Sequence, residues 1–132
     1  MNILGVTLAR GGSKGIKKKN IRLINHKPLI QYTIDEAKDS KLIDTYIVST
    51  DCEEIAEISR NLGADVPFIR PNKYASDTAS SVSALQHAVN FLEKERKIKF
   101  DIIVELMCTN PLKISKDIDL AIEKLISTNA DS

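Results

Sequence analysis

The chain has 132 residues, enough for one domain with one hydrophobic core. Hydrophobic residues make up 42% and charged residues 28%, an ordinary globular mixture that excludes a disordered chain. The formal net charge of +1 supplies no general basic field for nucleic acid, and no apolar run reaches the length of a membrane span.

Charge is nevertheless concentrated locally. Arg10, Lys14, Lys17, Lys18, Lys19, Arg22 and Lys27 lie in one stretch that contains no acid, an arrangement that invites an anion. Cys52 and Cys108 form no CxxC pair, so a reduced, cytoplasmic chain is expected. The opening MNILGVTLARGG lacks a basic n-region and a small-residue cleavage site, so it does not read as a signal peptide.

Taken in chain order, Ile3 to Leu8 is a short apolar run that reads as a buried parallel strand. Residues 9–20 form a glycine-rich basic loop. Pro28 suits a first helical position, and Leu29, Ile30, Ile34 and Ala37 carry helical spacing. Thr45 to Ser49 reads as a second strand. Asp51 is a candidate cap for the next helix, which Gly63 can end.

A third short strand is expected within residues 64–70, followed by the polar loop RPNKYASDTAS. A helix follows over roughly residues 80–97, with Val82, Leu85, Ala88, Val89 and Leu92 on its apolar face. Residues 101–106 read as a fourth strand and residues 109–115 as a turn. Ser115 or Asp117 opens a last helix that ends near Asn129.

This alternation predicts an α/β fold: a three-layer, doubly wound, mostly parallel sheet with right-handed crossovers. Residues 1–132 are expected to form a single domain. The chain stops at Asn129-Ala130-Asp131-Ser132 without a terminal cap, as the N-terminal part of something longer would. In such sheets ligands lie outside the carboxyl ends of the strands. The loops at residues 9–20, 70–77 and 107–113 should therefore gather at one edge.

The run Arg10-Gly11-Gly12-Ser13-Lys14-Gly15 follows the first strand directly. Its glycines let the backbone approach a ligand and present N–H groups to it, while Arg10 and Lys14 add charge. The chemistry implied is a phosphate cradle; the competing reading is a glycine turn among solvated cations. No register gives a Walker loop, and the glycine spacing is not GxGxxG. His26 and His87 are isolated and no Cys/His cluster exists, so a zinc site is not expected. His87 reads as a surface or packing residue, and Cys108 as a small buried one.

LARGGSKGIKKKNI resembles the signature of the CMP-N-acylneuraminate synthetase family, whose pattern is close to ARGGSKGLPRKN. Arg10, Gly11, Gly12, Ser13, Lys14, Gly15, Lys19 and Asn20 match it, and Lys17 stands where the family usually has proline. VSTDCEEI and FIRPNKYASDTASS resemble later segments, the second through Arg70, Pro71, Ala75, Asp77 and Ser80. Met107 departs from the pattern, standing where the family usually has a glutamine facing the nucleotide.

The resemblance implies a cytidylyltransferase. CTP would lie over the glycine-rich loop, and a hydroxyl of an acidic 2-keto sugar would attack the α-phosphorus with release of pyrophosphate. Arg10 and Lys19 would be the catalytic, phosphate-binding pair. Leu8, Ala9, Arg10, Gly11, Gly12, Ser13, Lys14, Asn20, Arg70, Asp77 and Thr109 would bind nucleotide. Arg70 and Asp77 have a second reading, an ion pair within their loop. Mg²⁺ is the implied cofactor, with its carboxylate ligands unassigned in this sequence. CTP and an acidic sugar are the implied partners, with no nucleic acid, no membrane and a homodimer in the full-length protein. A sugar nucleotidyltransferase using UTP or GTP, and a non-catalytic nucleotide-binding module, are the alternatives.

Overall fold

A computed structural model describes residues 1–11, 23–24, 26–71, 73, 81–107 and 115–128. Its centre is β1 (Ile3–Leu8), which pairs in parallel with β4 (Thr45–Ser49) on one side and β5 (Ile102–Glu105) on the other. Leu4, Val6, Ile47 and Val48 are fully buried. These are the apolar and β-branched residues that pack well when a sheet is covered on both faces.

Among the described residues four helices cover that sheet: α1 (Leu29–Asp39), α2 (Glu53–Asn61), α3 (Ser81–Arg96) and α4 (Ser115–Thr128). In α1 the buried residues Ile30, Thr33, Ile34 and Ala37 follow helical spacing and form one stripe. Ile30 and Ile34 join Ile55 and Ala56 of α2 against Val48. Ala37 joins Ile118 and Ile122 of α4 against Ile3 and Ile102. On the opposite face, Ala88 and Leu92 of α3 pack on Leu4, Val6 and Ile47. The three expected layers are therefore present, with α1, α2 and α4 on one face and α3 on the other.

The expected third strand is reduced to two isolated parallel bridges beside β4, Ile47 with Asp65 and Thr50 with Ile69. Pro67 lies between them and has no N–H to give to a ladder, which accounts for the break. From β1 to β4 to this segment the chain steps in one direction, with α1 and α2 on one face. The return to β5 reverses direction, and α3 lies on the other face, as right-handed crossovers require. The order across the sheet is thus residues 65–69, β4, β1, β5, and it switches direction between β1 and β5.

The sequence reading missed a two-stranded antiparallel ribbon, β2 (Leu23–Ile24) with β3 (Lys27–Pro28). Strands of two residues carry no periodicity to read. His26, in its turn, has φ 69, a left-handed conformation uncommon outside glycine. Pro28 closes this ribbon and is the N-cap of α1 rather than its first helical residue. At the far end of α2, Gly63 has φ 93. Its N–H donates to the Arg60 carbonyl and that of Ala64 to the Ser59 carbonyl, a Schellman closure that ends the helix as expected.

α4 is tied to the end of α1 by Asp119, which accepts from the Ser40 hydroxyl and from the N–H groups of Lys41 and Leu42. Burial opposes ionisation there, but those hydrogen bonds hold its carboxyl below the ordinary aspartate value.

The apolar face of α3 differs from the expected one at its start. Val82 is 61% exposed, and Ala84 is buried in its place. Leu92→Ala should therefore destabilise the chain by about 2–5 kcal/mol, as truncation of a fully buried leucine does. Val82→Ala should change stability by less than about 0.5 kcal/mol. Urea unfolding of the two variants checks this, and equal losses would contradict the packing of α3.

Candidate functional site

The stem of the glycine-rich loop leaves β1 at the carboxyl edge of the sheet and is pinned twice. The Ala9 N–H donates to the Ser49 carbonyl at 2.9 Å, and the Gly11 N–H donates to Asp51 Oδ1 at 2.9 Å. Arg10 sits between the two pins, half-buried. A side chain on Gly11 has no room, because a Cβ there would meet Cys52 Cβ at 2.8 Å. Glycine is required here for close approach of two backbones.

The end of β4 supplies both pins and also seats an arginine. Arg70 is only 3% exposed. Its Nε donates to Ser49 Oγ at 3.0 Å and its Nη2 to the Ser49 carbonyl at 2.7 Å. Its main-chain N–H donates to the Thr50 carbonyl at 2.7 Å, so side chain and backbone are fixed together. The Ser49 carbonyl thereby accepts from both Ala9 and Arg70, using both of its lone pairs. Burial lowers the Arg70 pKa, the charge of Asp51 opposes that shift, and the charge of Arg10 adds to it. Arg70 thus feels both a carboxylate and a second cation at this edge.

Asp51 does not cap α2 as the sequence reading expected. The N-cap is Cys52, which makes no side-chain capping bond, and the Asp51 carboxylate turns to Gly11 instead. The loss at the helix start is softened by Thr50 Oγ1, which accepts from the Cys52 N–H at 3.1 Å. Glu53 and Glu54 also lie in the first turn, where negative charge favours the helix dipole.

On the other side of β1, the ladder runs on past β5, with the Leu106 N–H donating to the Val6 carbonyl at 2.8 Å. Met107 follows and is 56% exposed. Leu8, Ala9, Arg10, Gly11 and Met107 therefore flank the point where strand order reverses. Ligands of doubly wound sheets bind at such points. Arg70 lies one strand away, beyond β4. His87 packs edge-on against Phe68 with ring centroids 4.6 Å apart, the packing role read from the sequence. Burial, together with the charges of Arg70 and Lys73, lowers its pKa.

Of the expected nucleotide-binding residues, Leu8, Ala9, Arg10, Gly11 and Arg70 are brought to one edge. Gly12, Ser13, Lys14, Lys19, Asn20, Asp77 and Thr109 lie outside the described residues, as does Cys108. Sequence reasoning missed Ser49 and passed over Asp51 as a cap. The available signal was polarity: Ser49, Thr50 and Asp51 end an otherwise apolar strand where a ligand-binding edge is expected. Among the described residues, no group of three or more His, Cys, Asp or Glu side chains could hold a metal ion.

Comparison with known proteins identifies the family of the chain. A family model described as cytidylyltransferase matches residues 4–132, and the chain belongs to that family. It is 42% identical to a post-translational flagellin modification protein B of Campylobacter coli, over 98% of this chain and 55% of that protein. It is 40% identical to a pseudaminic acid cytidylyltransferase of Campylobacter jejuni, over 98% of this chain and 56% of that protein. The chain thus spans about half the length of the curated relatives it matches. A solved structure of a CMP:2-keto-3-deoxy-manno-octonic acid synthetase with CTP matches with a TM-score of 0.80 at 22% identity, over 98% of this chain and 49% of that one. That likeness shows a shared fold.

Arg70 is held as a structural cation whatever else it contacts. Arg70→Met should lower stability by about 2–4 kcal/mol, because it strips the donors from a buried serine. Thermal unfolding checks this, and a variant as stable as the parent would contradict the described seat.

Proposed function

We propose that this chain is the nucleotide-binding part of a cytidylyltransferase that transfers CMP from CTP to an acidic 2-keto sugar. The observation that carries the reading is the doubly pinned Arg10-Gly11 stem at the switch point of a cytidylyltransferase-family chain. A glycine-rich, basic segment that follows the central strand at its carboxyl end suits a triphosphate. The sugar hydroxyl oxygen bonds to the α-phosphorus. The bond from that phosphorus to the bridging oxygen breaks, pyrophosphate leaves with the electron pair, and the hydroxyl proton passes to solvent or a base. Positioning and charge neutralisation dominate such transfers.

In this proposal Arg10 and Lys19 grip the phosphates, with Ser13 and Lys14 beside them. Leu8, Ala9, Gly11 and Gly12 offer backbone, and Asn20 and Thr109 orient the nucleotide. Arg70, held by Ser49, would help fix the nucleotide or phosphates, and Asp77 would order its loop. Mg²⁺ is the counter-ion that a triphosphate carries into such sites. Among the described residues no donor set stands ready for it, since Asp51 is committed to Gly11 and Glu53 is exposed. The names of the relatives favour pseudaminate or a similar nonulosonate as the acceptor.

A cytoplasmic location and a homodimer of the whole protein complete the proposal. Among the described residues no helix is long and apolar enough to cross a membrane. Ile103, Leu120 and Ile126 are large apolar side chains left exposed, which suits further association.

Calorimetric titration tests the nucleotide reading. CTP should bind more tightly than UTP, ATP or GTP, by a modest margin because Met107 offers no amide to the base. Arg10→Ala should weaken CTP binding by about 1.5–3 kcal/mol, the scale of a charge-assisted hydrogen bond. Equal affinity for the four nucleotides, or an unchanged affinity in Arg10→Ala, would contradict the assignment. Pyrophosphate release from CTP with pseudaminate, legionaminate and N-acetylneuraminate tests the transfer itself.

A further inference from the structure

Asp51, just past the end of β4, holds the described stem of the glycine-rich segment through the Gly11 amide. We infer that Asp51 is a positioning residue for the nucleotide, acting through the Gly11 amide by its acceptor geometry rather than by its charge. The inference rests on the reading of the glycine-rich loop as a phosphate cradle.

Three observations carry it. Asp51 Oδ1 is 2.9 Å from the Gly11 nitrogen, across 40 residues of sequence, so the contact is tertiary and not a local turn. Gly11 lies so close to Cys52 that a Cβ would meet Cys52 Cβ at 2.8 Å, which fixes the approach of the loop to the segment carrying Asp51. Asp51 also stands one residue before the N-cap Cys52, so its carboxylate is not engaged as the cap of α2. An aspartate that holds the Gly11 amide fixes the stem from which the segment proposed to cradle phosphate departs.

The charge of Asp51 works against the same ligand. A carboxylate whose charge opposes the lowering of the Arg70 pKa offsets part of the positive field that would attract a triphosphate. Acceptor and charge therefore make opposite contributions to CTP binding, and substitution can separate them. Asp51→Asn keeps a carbonyl oxygen for Gly11 and removes the charge. Asp51→Ala removes both.

The test is CTP titration of the parent, Asp51→Asn and Asp51→Ala chains. Amide hydrogen exchange at Gly11 is read by NMR in each, after thermal unfolding has shown which are folded. Asp51→Asn should keep Gly11 protected and bind CTP as tightly as the parent or severalfold more tightly. Asp51→Ala should lose that protection and bind CTP at least tenfold more weakly. Parent-like binding by Asp51→Ala would overturn the inference. Equal weakening in both variants, with Gly11 still protected in Asp51→Asn, would overturn it as well, because the charge would then be the contributing feature. If the parent itself binds no CTP while Gly11 stays protected, the nucleotide reading fails, and the result is distinct from failure of the pin. If Asp51→Ala does not fold, the Asp51→Asn titration still decides whether charge or geometry matters.

Discussion

The carboxyl end of β4 is the constraint on which the site depends. Within three residues it supplies the Ser49 carbonyl, the Ser49 hydroxyl, the Thr50 hydroxyl and carbonyl, and the Asp51 carboxylate. Together these hold Ala9, Gly11, Arg70 and Cys52. A glycine-rich segment loses much conformational entropy on ordering, more per residue than any other type. Hydrogen bonds from its first amides to a rigid central strand offset part of that loss before any ligand arrives. The same strand end buries Arg70 with two polar partners, without which a cation at 3% exposure would be costly.

Topology explains why this strand end and not another carries the site. β1 is bracketed by β4 and β5, and the helices change faces where strand order reverses. In doubly wound sheets crossovers leave the switch point uncovered, and ligands bind there. β4 flanks β1 on one side and the end of β5, followed by Met107, on the other. α3 packs over β1 and β4, leaving Ile103 and Glu105 of β5 exposed on that face.

Much of this was legible in the residues, for identifiable reasons. The runs at Ile3–Leu8, Thr45–Ser49 and Ile102–Glu105 are apolar and bounded by polar turns, so the strands were readable. The spacing of Ile30, Ile34 and Ala37 gave α1, and Gly63 gave the end of α2. Four features escaped. The β2–β3 ribbon is too short to leave a pattern. Pro67 breaks a segment whose composition is otherwise that of a strand. Asp51 has a side chain that suits a cap and a tertiary amide equally, and only the fold decides between them. Ser49 was invisible for a related reason: a serine at the end of a strand says nothing of which arginine, 21 residues later, will reach back to it. Local patterns report periodicity and turns; partners distant in sequence are set by packing.

The central claim is that nucleotide binds at the carboxyl ends of β1 and β5, over a loop that β4 holds in place. Amide chemical shifts of the isotope-labelled chain during CTP titration test it most directly. The account predicts that Leu8, Arg10, Gly11 and Met107 shift together with one affinity, while Asn2 and Asp101 at the opposite edge stay unmoved. Shifts confined to that opposite edge, or saturable binding that leaves Gly11 and Met107 unchanged, would contradict it.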